Sequence, residues 1–139
     1  MIIAIRISGL VGVPQHLEES LFRLRLRRKY AAVLINPTEE NLKLLKKLRD
    51  RIAFGDITSE TLSLLIEKRG MPLNKSKKID VKKVIEQIDK KSLDELGIKP
   101  FFRLHPPRGG IDAKNHFSVK KGVLGDNKDK INDLVRRML

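Results

Sequence analysis

The chain has 139 residues and sets 30 Lys and Arg against 17 Asp and Glu, a formal net charge of +13. That length suits one domain with a small appendage, and 40% apolar residues are enough to bury a core without staples. The absence of cysteine excludes a disulfide framework, a thiol nucleophile and any cysteine-bound metal. The positive excess asks for a polyanionic partner, either nucleic acid or an anionic membrane surface.

Residues 2–8 read as a strand. Ile2, Ile3, Ala4, Ile5 and Ile7 form a nearly continuous apolar run closed by Ser8-Gly9, the pattern of a central strand. The segment from Met1 to Ile7 has no basic leader and is interrupted by Arg6, so neither a secretory signal nor an anchor is expected. No apolar run approaches the ~18 residues of a bilayer span. A cytoplasmic protein without membrane contact is the expectation.

Pro14 opens a helix predicted over about 15–28, with Leu17, Leu21 and Leu24 at helical spacing and Arg27, Arg28 and Lys29 crowding the last turn. Tyr30 to Ile35 is a second strand, ended by Asn36-Pro37. Thr38 caps a helix over about 39–49 whose predicted buried stripe is Leu42, Leu45, Leu48 and Ile52. Ile52 to Ile57 makes a third strand. Residues 1–57 thus read β-α-β-α-β, a two-layer unit of sheet and helices.

Beyond it, Thr58 caps a helix over about 59–69 with Gly70 as C-cap, and Asp80 caps another carrying Val81, Val84, Ile85 and Ile88. Ser92-Leu93-Asp94-Glu95 reads as a capping box opening one short turn closed by Gly97. Phe101 to Leu104 is a short strand, residues 105–125 read as an ordered loop, and Asp126 caps a last helix with Ile131, Leu134, Val135 and Met138 on one face.

The charge is unevenly spread. Residues 1–57 carry net +5, residues 58–98 net +2 and residues 99–139 net +6, so the two ends hold the excess. Such asymmetry points to a contact surface. The strongest motif is Arg103-Leu104-His105-Pro106-Pro107-Arg108-Gly109-Gly110. Two prolines stiffen the path, Arg108 projects from a rigid base, and Gly109-Gly110 lets backbone N–H groups approach an oxyanion. Lys114, Lys120 and Lys121 add point charges downstream. An ordinary surface turn is the plainer reading of the same residues.

The second cluster is Arg23, Arg25, Arg27, Arg28 and Lys29. On a continuous helix, Arg23 with Arg27 and Arg25 with Lys29 would form two basic ridges lying along phosphates. The plainer reading is cations complementing a helix C-terminus. His105, Asp112 and His116 share a loop, but their spacing matches no helical ligand pair and the surroundings are cationic, so no metal, cofactor or catalytic role is expected. Gly9-x-x-Gly12 resembles a phosphate loop but lacks the lysine and the remaining glycines. Of Phe101 and Phe102, adjacent on a strand, at most one can meet a base, so structured RNA read by shape and phosphates fits better than single-strand readout. A DNA-binding protein and an enzyme acting on a phosphorylated metabolite are the alternatives.

The Leu24-Arg25-Leu26-Arg27-Arg28 run, Ile52-Ala53-Phe54-Gly55 with the helix that follows, and above all Arg103 to Gly110 make the chain resemble the archaeal branch of the large-subunit ribosomal protein L-thirty family, with eukaryotic relatives called L-seven. Ser20 and Ala31 depart from its pattern. The resemblance runs nearly end to end. It implies an α+β fold in which residues 1–57 form a β-α-β-α-β core with a three-stranded antiparallel sheet related to the ferredoxin-like fold. Residues 58–139 would be a helical extension carrying a basic RNA-binding loop. It further implies a structural, non-catalytic constituent of the large ribosomal subunit, working in translation without a cofactor or small-molecule substrate. The implied partners are large-subunit rRNA, 5S rRNA and neighbouring ribosomal proteins. Arg6, the residues of both basic clusters, His105 and His116 are the RNA-contacting set expected on this basis.

Overall fold

A computed structural model of the chain describes residues 1–9, 11–110, 113–116 and 122–139. The predicted core is present: β1 (Ile2–Arg6), α1 (Gln15–Arg23), β2 (Ala31–Ile35), α2 (Glu39–Lys47) and β3 (Ile52–Asp56). The strand β1 lies between β2 and β3, antiparallel to both, with Ile3 opposite Leu34 and Ala4 opposite Phe54. Its nearly continuous apolar run is explained by burial on both faces.

The second half supplies α3 (Ser59–Arg69), α4 (Val81–Gln87), β4 (Phe102–Arg103), β5 (Ala113–His116), β6 (Gly122–Asp126) and α5 (Ile131–Met138). The sheet therefore has six strands in the order β4-β2-β1-β3-β6-β5. β4 pairs antiparallel with β2, whereas β6 runs parallel to β3 and β5 parallel to β6. Residues 105–125, expected as loop, thus contain two strands. Their glycines and polar residues hid them: Gly125 sits opposite Ala53, where two small residues let the backbones pair.

The alternation of β1 divides the interior. Ile2 and Ala4 join Leu21, Leu26, Leu45 and Leu48 beneath α1 and α2. Ile3, Ile5 and Ile7 join Leu65, Ile66, Val84, Ile131 and Val135 beneath α3, α4 and α5. Sequence reading gave the first layer of helices, and the extension adds a third layer on the opposite face. α5 lies so close to β3 that a Cβ on Gly55 would come 2.8 Å from Ile131 Cγ2 and overlap the Lys128 carbonyl, so only glycine fits there.

The caps follow the sequence. Thr38 Oγ1 accepts from Asn41 N–H (3.3 Å), Thr58 Oγ1 from Thr61 N–H (3.4 Å) and Asp80 Oδ1 from Lys83 N–H (3.5 Å). Other expectations shift. Leu42 is exposed and Leu44 packs inward in its place, beside Leu45 and Leu48. Gly70 ends α3 in an extended rather than a left-handed conformation. Ser92 Oγ does accept from Glu95 N–H (3.4 Å), but the segment stays a series of turns. Asp126 ends β6 and accepts from Lys128 N–H (2.9 Å), and a 3-10 turn over Lys128–Lys130 precedes α5. Among the described residues no helix is long and apolar enough to cross a membrane.

Candidate nucleic-acid interface

α1 stops at Arg23, five residues short of the sequence estimate, and the rest of the basic run leaves the helix. The stop is a Schellman turn: Leu26 N–H donates to Leu21 O (2.9 Å) and Arg25 N–H to Phe22 O (3.0 Å). Leu21 and Leu26 are both buried, giving the apolar contact that accompanies this motif. The position usually given to glycine is held by Arg25, at φ 64°. Tyr30 is also left-handed, at φ 66°, so two strained residues bracket Leu26–Lys29. The two helical ridges do not form. Arg25, Arg27, Arg28 and Lys29 project instead from a tight turn, all exposed.

Arg6 is what holds this turn. It is fully buried, and its guanidinium donates to Leu26 O (2.8 Å), Ser8 O (3.0 Å) and Gly9 O (3.3 Å). Its own carbonyl accepts from Tyr30 N–H (2.7 Å). Burial lowers its pKa; Glu18 opposes that and Arg51 reinforces it, yet a guanidinium stays charged at neutral pH. A side chain so enclosed and so occupied has no reach to a phosphate. Arg6 is corrected from an RNA contact to the residue that positions the contacts. Arg51 assists, donating to Gly12 O (3.1 Å) and Ser8 Oγ (3.4 Å).

Beside the turn, β4 forms the sheet edge, and Leu104 N–H donates to Tyr30 O (3.0 Å). Arg25, Arg27, Arg28, Ala31, Phe101 and Arg103 line an open groove of about 320 Å³. Arg103 lies over the Phe101 ring, 5.6 Å from its centroid, and Lys29 over Tyr30 at 5.1 Å. As expected of neighbours on a strand, Phe102 is buried and Phe101 half-exposed. Arg25 also stands 3.8 Å from Asp94 across the surface.

The proline–glycine loop is rigid for a reason the sequence only half shows. Pro107 is buried, Gly109 and Gly110 adopt φ 79° and 75°, and Gly110 N–H donates to Pro107 O (3.0 Å). The Gly110 N–H is thus committed to the turn and does not await an oxyanion. His105 N–H donates to Met138 O (2.9 Å) and Arg108 N–H to Arg137 O (3.0 Å), satisfying the last carbonyls of α5. In return Arg137 donates from Nε to Arg108 O (2.9 Å) and from Nη2 to Gly110 O. Arg137 escaped the sequence reading because a cation in a last helical turn is ordinarily explained by the dipole. The side chains of His105 and Arg108 are exposed.

Sequence proximity misleads for the remaining residues. Arg103 is on β4 and Lys114 and His116 are on β5, the two opposite edges of the six-stranded sheet. At ~4.8 Å per strand the two edge strands stand about 24 Å apart. Asp112, Lys120 and Lys121 lie outside the described residues. Arg23 ends α1, exposed. Among the described residues no three His, Asp or Glu side chains are grouped to hold a metal. Ser20, off the family pattern, donates its hydroxyl to His16 O (3.0 Å), while Ala31 is buried at the groove.

A six-stranded sheet with helices on both faces, showing guanidinium groups along a tight turn and one edge, defines a small basic α+β protein. No family model matches the chain. It is 38% identical to the large ribosomal subunit protein uL30 of Methanobrevibacter smithii over the whole of both chains. It is 37% identical to that of Methanococcus maripaludis over 97% of each, and 33% identical to that of Archaeoglobus fulgidus over 99% of each. The chain belongs to the uL30 family of large ribosomal subunit proteins.

Proposed function

We propose that this chain grips ribosomal RNA chiefly through the arginine turn and the β4 edge, with the proline–glycine loop as a second phosphate contact. As a uL30 protein it is a structural, non-enzymatic constituent of the large ribosomal subunit and works in the cytoplasm. The observation that supports the RNA reading is the convergence of Arg25, Arg27, Arg28 and Arg103 on one groove. Four like charges held together repel one another in the free protein, and phosphates relieve that repulsion. Arg23 and Lys29 extend this contact on either side of the turn, and His105 and Arg108 supply the second contact at the loop. Lys114 and His116, on the far edge strand β5, belong to a separate contact, and Lys120 and Lys121 stay in the RNA-contacting set on the resemblance alone. In this scheme residues 1–57 are the core and residues 58–139 the extension that carries the loop. The resemblance adds 5S rRNA to the large rRNA as a partner.

The test is binding of the full chain to large-subunit rRNA across a salt series, in competition with 5S rRNA and with duplex DNA. Tight binding whose logarithm falls linearly with log salt is expected, and Arg27→Gln with Arg28→Gln should flatten the slope by about 1.5. An unchanged slope in this double variant, or duplex DNA displacing rRNA, would overturn the assignment. Competition by 5S rRNA at comparable concentration supports the second partner, and its failure to compete removes it.

A further inference from the structure

Phosphate contact alone does not call for a groove; exposed arginines on a flat face would serve. The groove at the β4 edge has an apolar side made by Ala31 and the half-exposed Phe101, and a cationic rim made by Arg25, Arg27, Arg28 and Arg103. Its ~320 Å³ lies at the small end of ligand clefts, too little for a duplex and of the size of one nucleotide. Arg103 lies over the Phe101 ring, 5.6 Å from its centroid, so a guanidinium and an aromatic ring stand side by side at the groove. Arg25, another of the lining residues, is kept in a left-handed conformation, so its part of the groove is set by the backbone before any partner arrives.

From this we infer that the groove receives a single unpaired nucleotide projecting from folded RNA. Its base stacks on the Phe101–Arg103 platform, and its flanking phosphates meet Arg27 and Arg28. The inference rests on the RNA-binding reading above and narrows it: the RNA element recognised here is a bulge or loop, since only unstacked bases can be splayed onto an aromatic face. Low aromatic content, which argues against a run of stacked bases, is no obstacle to a single stacking site.

The experiment uses the full chain and two RNA hairpins of equal length and charge, one fully paired and one with a single bulged 2-aminopurine nucleotide. The bulged hairpin is expected to bind about tenfold more tightly, with quenching of the 2-aminopurine fluorescence as the base stacks. In Phe101→Leu the ratio of the two affinities should collapse toward one. Arg103→Lys, which keeps the charge and loses the planar stack, should lower the same ratio and guards against a folding defect at Phe101. Equal affinities for the two hairpins, or an unquenched bulge, overturn the inference while salt-sensitive binding to both leaves the broader reading standing. Absence of salt-sensitive binding to either hairpin overturns both.

Discussion

The arginine turn and the proline–glycine loop reach rigidity by opposite means. In the turn, a side chain occupies a backbone position that favours glycine: Arg25 is left-handed, and the strain is borne so that a charge can stand where the helix ends. In the loop, Gly109 and Gly110 take the left-handed positions without strain, and stiffness comes from Arg137 binding the loop carbonyls. One region therefore displays its arginines and is braced by a buried one, Arg6. The other displays Arg108 and commits Arg137 to the brace. A count of positive charge treats these residues alike, yet two of them serve the fold and not the partner.

Substitutions can pull the two designs apart. The largest effect is expected from Arg6→Met, which leaves the carbonyls of Leu26, Ser8 and Gly9 without their donor in a buried site. Stability should fall by about 3 kcal/mol or more in urea unfolding. RNA affinity should fall as well, although no displayed charge is removed. A stability change below about 1 kcal/mol would mean that the turn does not depend on this brace. Next, Gly110→Ala places a Cβ at φ 75° and should cost about 1–2 kcal/mol, with faster amide exchange at Arg108. Unaltered exchange would show that the loop does not need its glycine.

Arg25→Gly carries the comparison furthest, because the two readouts move in opposite directions. Relief of strain should raise stability by about 1 kcal/mol, while the salt slope of RNA binding falls by about 1. A loss of stability would show that Arg25 is held by contacts stronger than its strain. The smallest effect is expected from Asp94→Asn. The 3.8 Å pair with Arg25 is half-exposed on both sides, so stability should change by less than about 0.5 kcal/mol. RNA affinity should rise slightly as a competing carboxylate is lost; weaker binding would give Asp94 a role in the contact itself.

The core was legible because its signals are redundant. β1 has a nearly continuous apolar run, and Thr38, Thr58 and Asp80 cap helices where the sequence placed them. The family could be read from the Leu24–Arg28 run and the Arg103–Gly110 stretch, and its curated relatives bear that out. What escaped depends on tertiary partners. β6 reads Gly-Val-Leu-Gly-Asp and becomes a strand only because β3 offers Ala53 opposite Gly125. The early end of α1 is set by Leu26 folding back onto Leu21, a contact that competes with continuing the helix. Arg6 looked like the other arginines because burial is invisible in composition, although its place inside the apolar run of β1 was a signal that it faces inward.

The union of the proline–glycine loop with α5 also fixes an order in time. Asn132, in α5, accepts from Thr58 N–H (2.9 Å) and donates to Asp56 O (3.1 Å), so α5 is stapled to chain made more than seventy residues earlier. The residues up to the end of β3 supply helices for one face of the sheet only, α1 and α2. The other face closes in stages as α3, α4 and finally α5 are synthesised, and the loop is locked only with the last of these. Contacts so distant in sequence are slow to form. The arginine turn draws its brace and backbone contacts from residues 6–30, whereas the loop waits for α5.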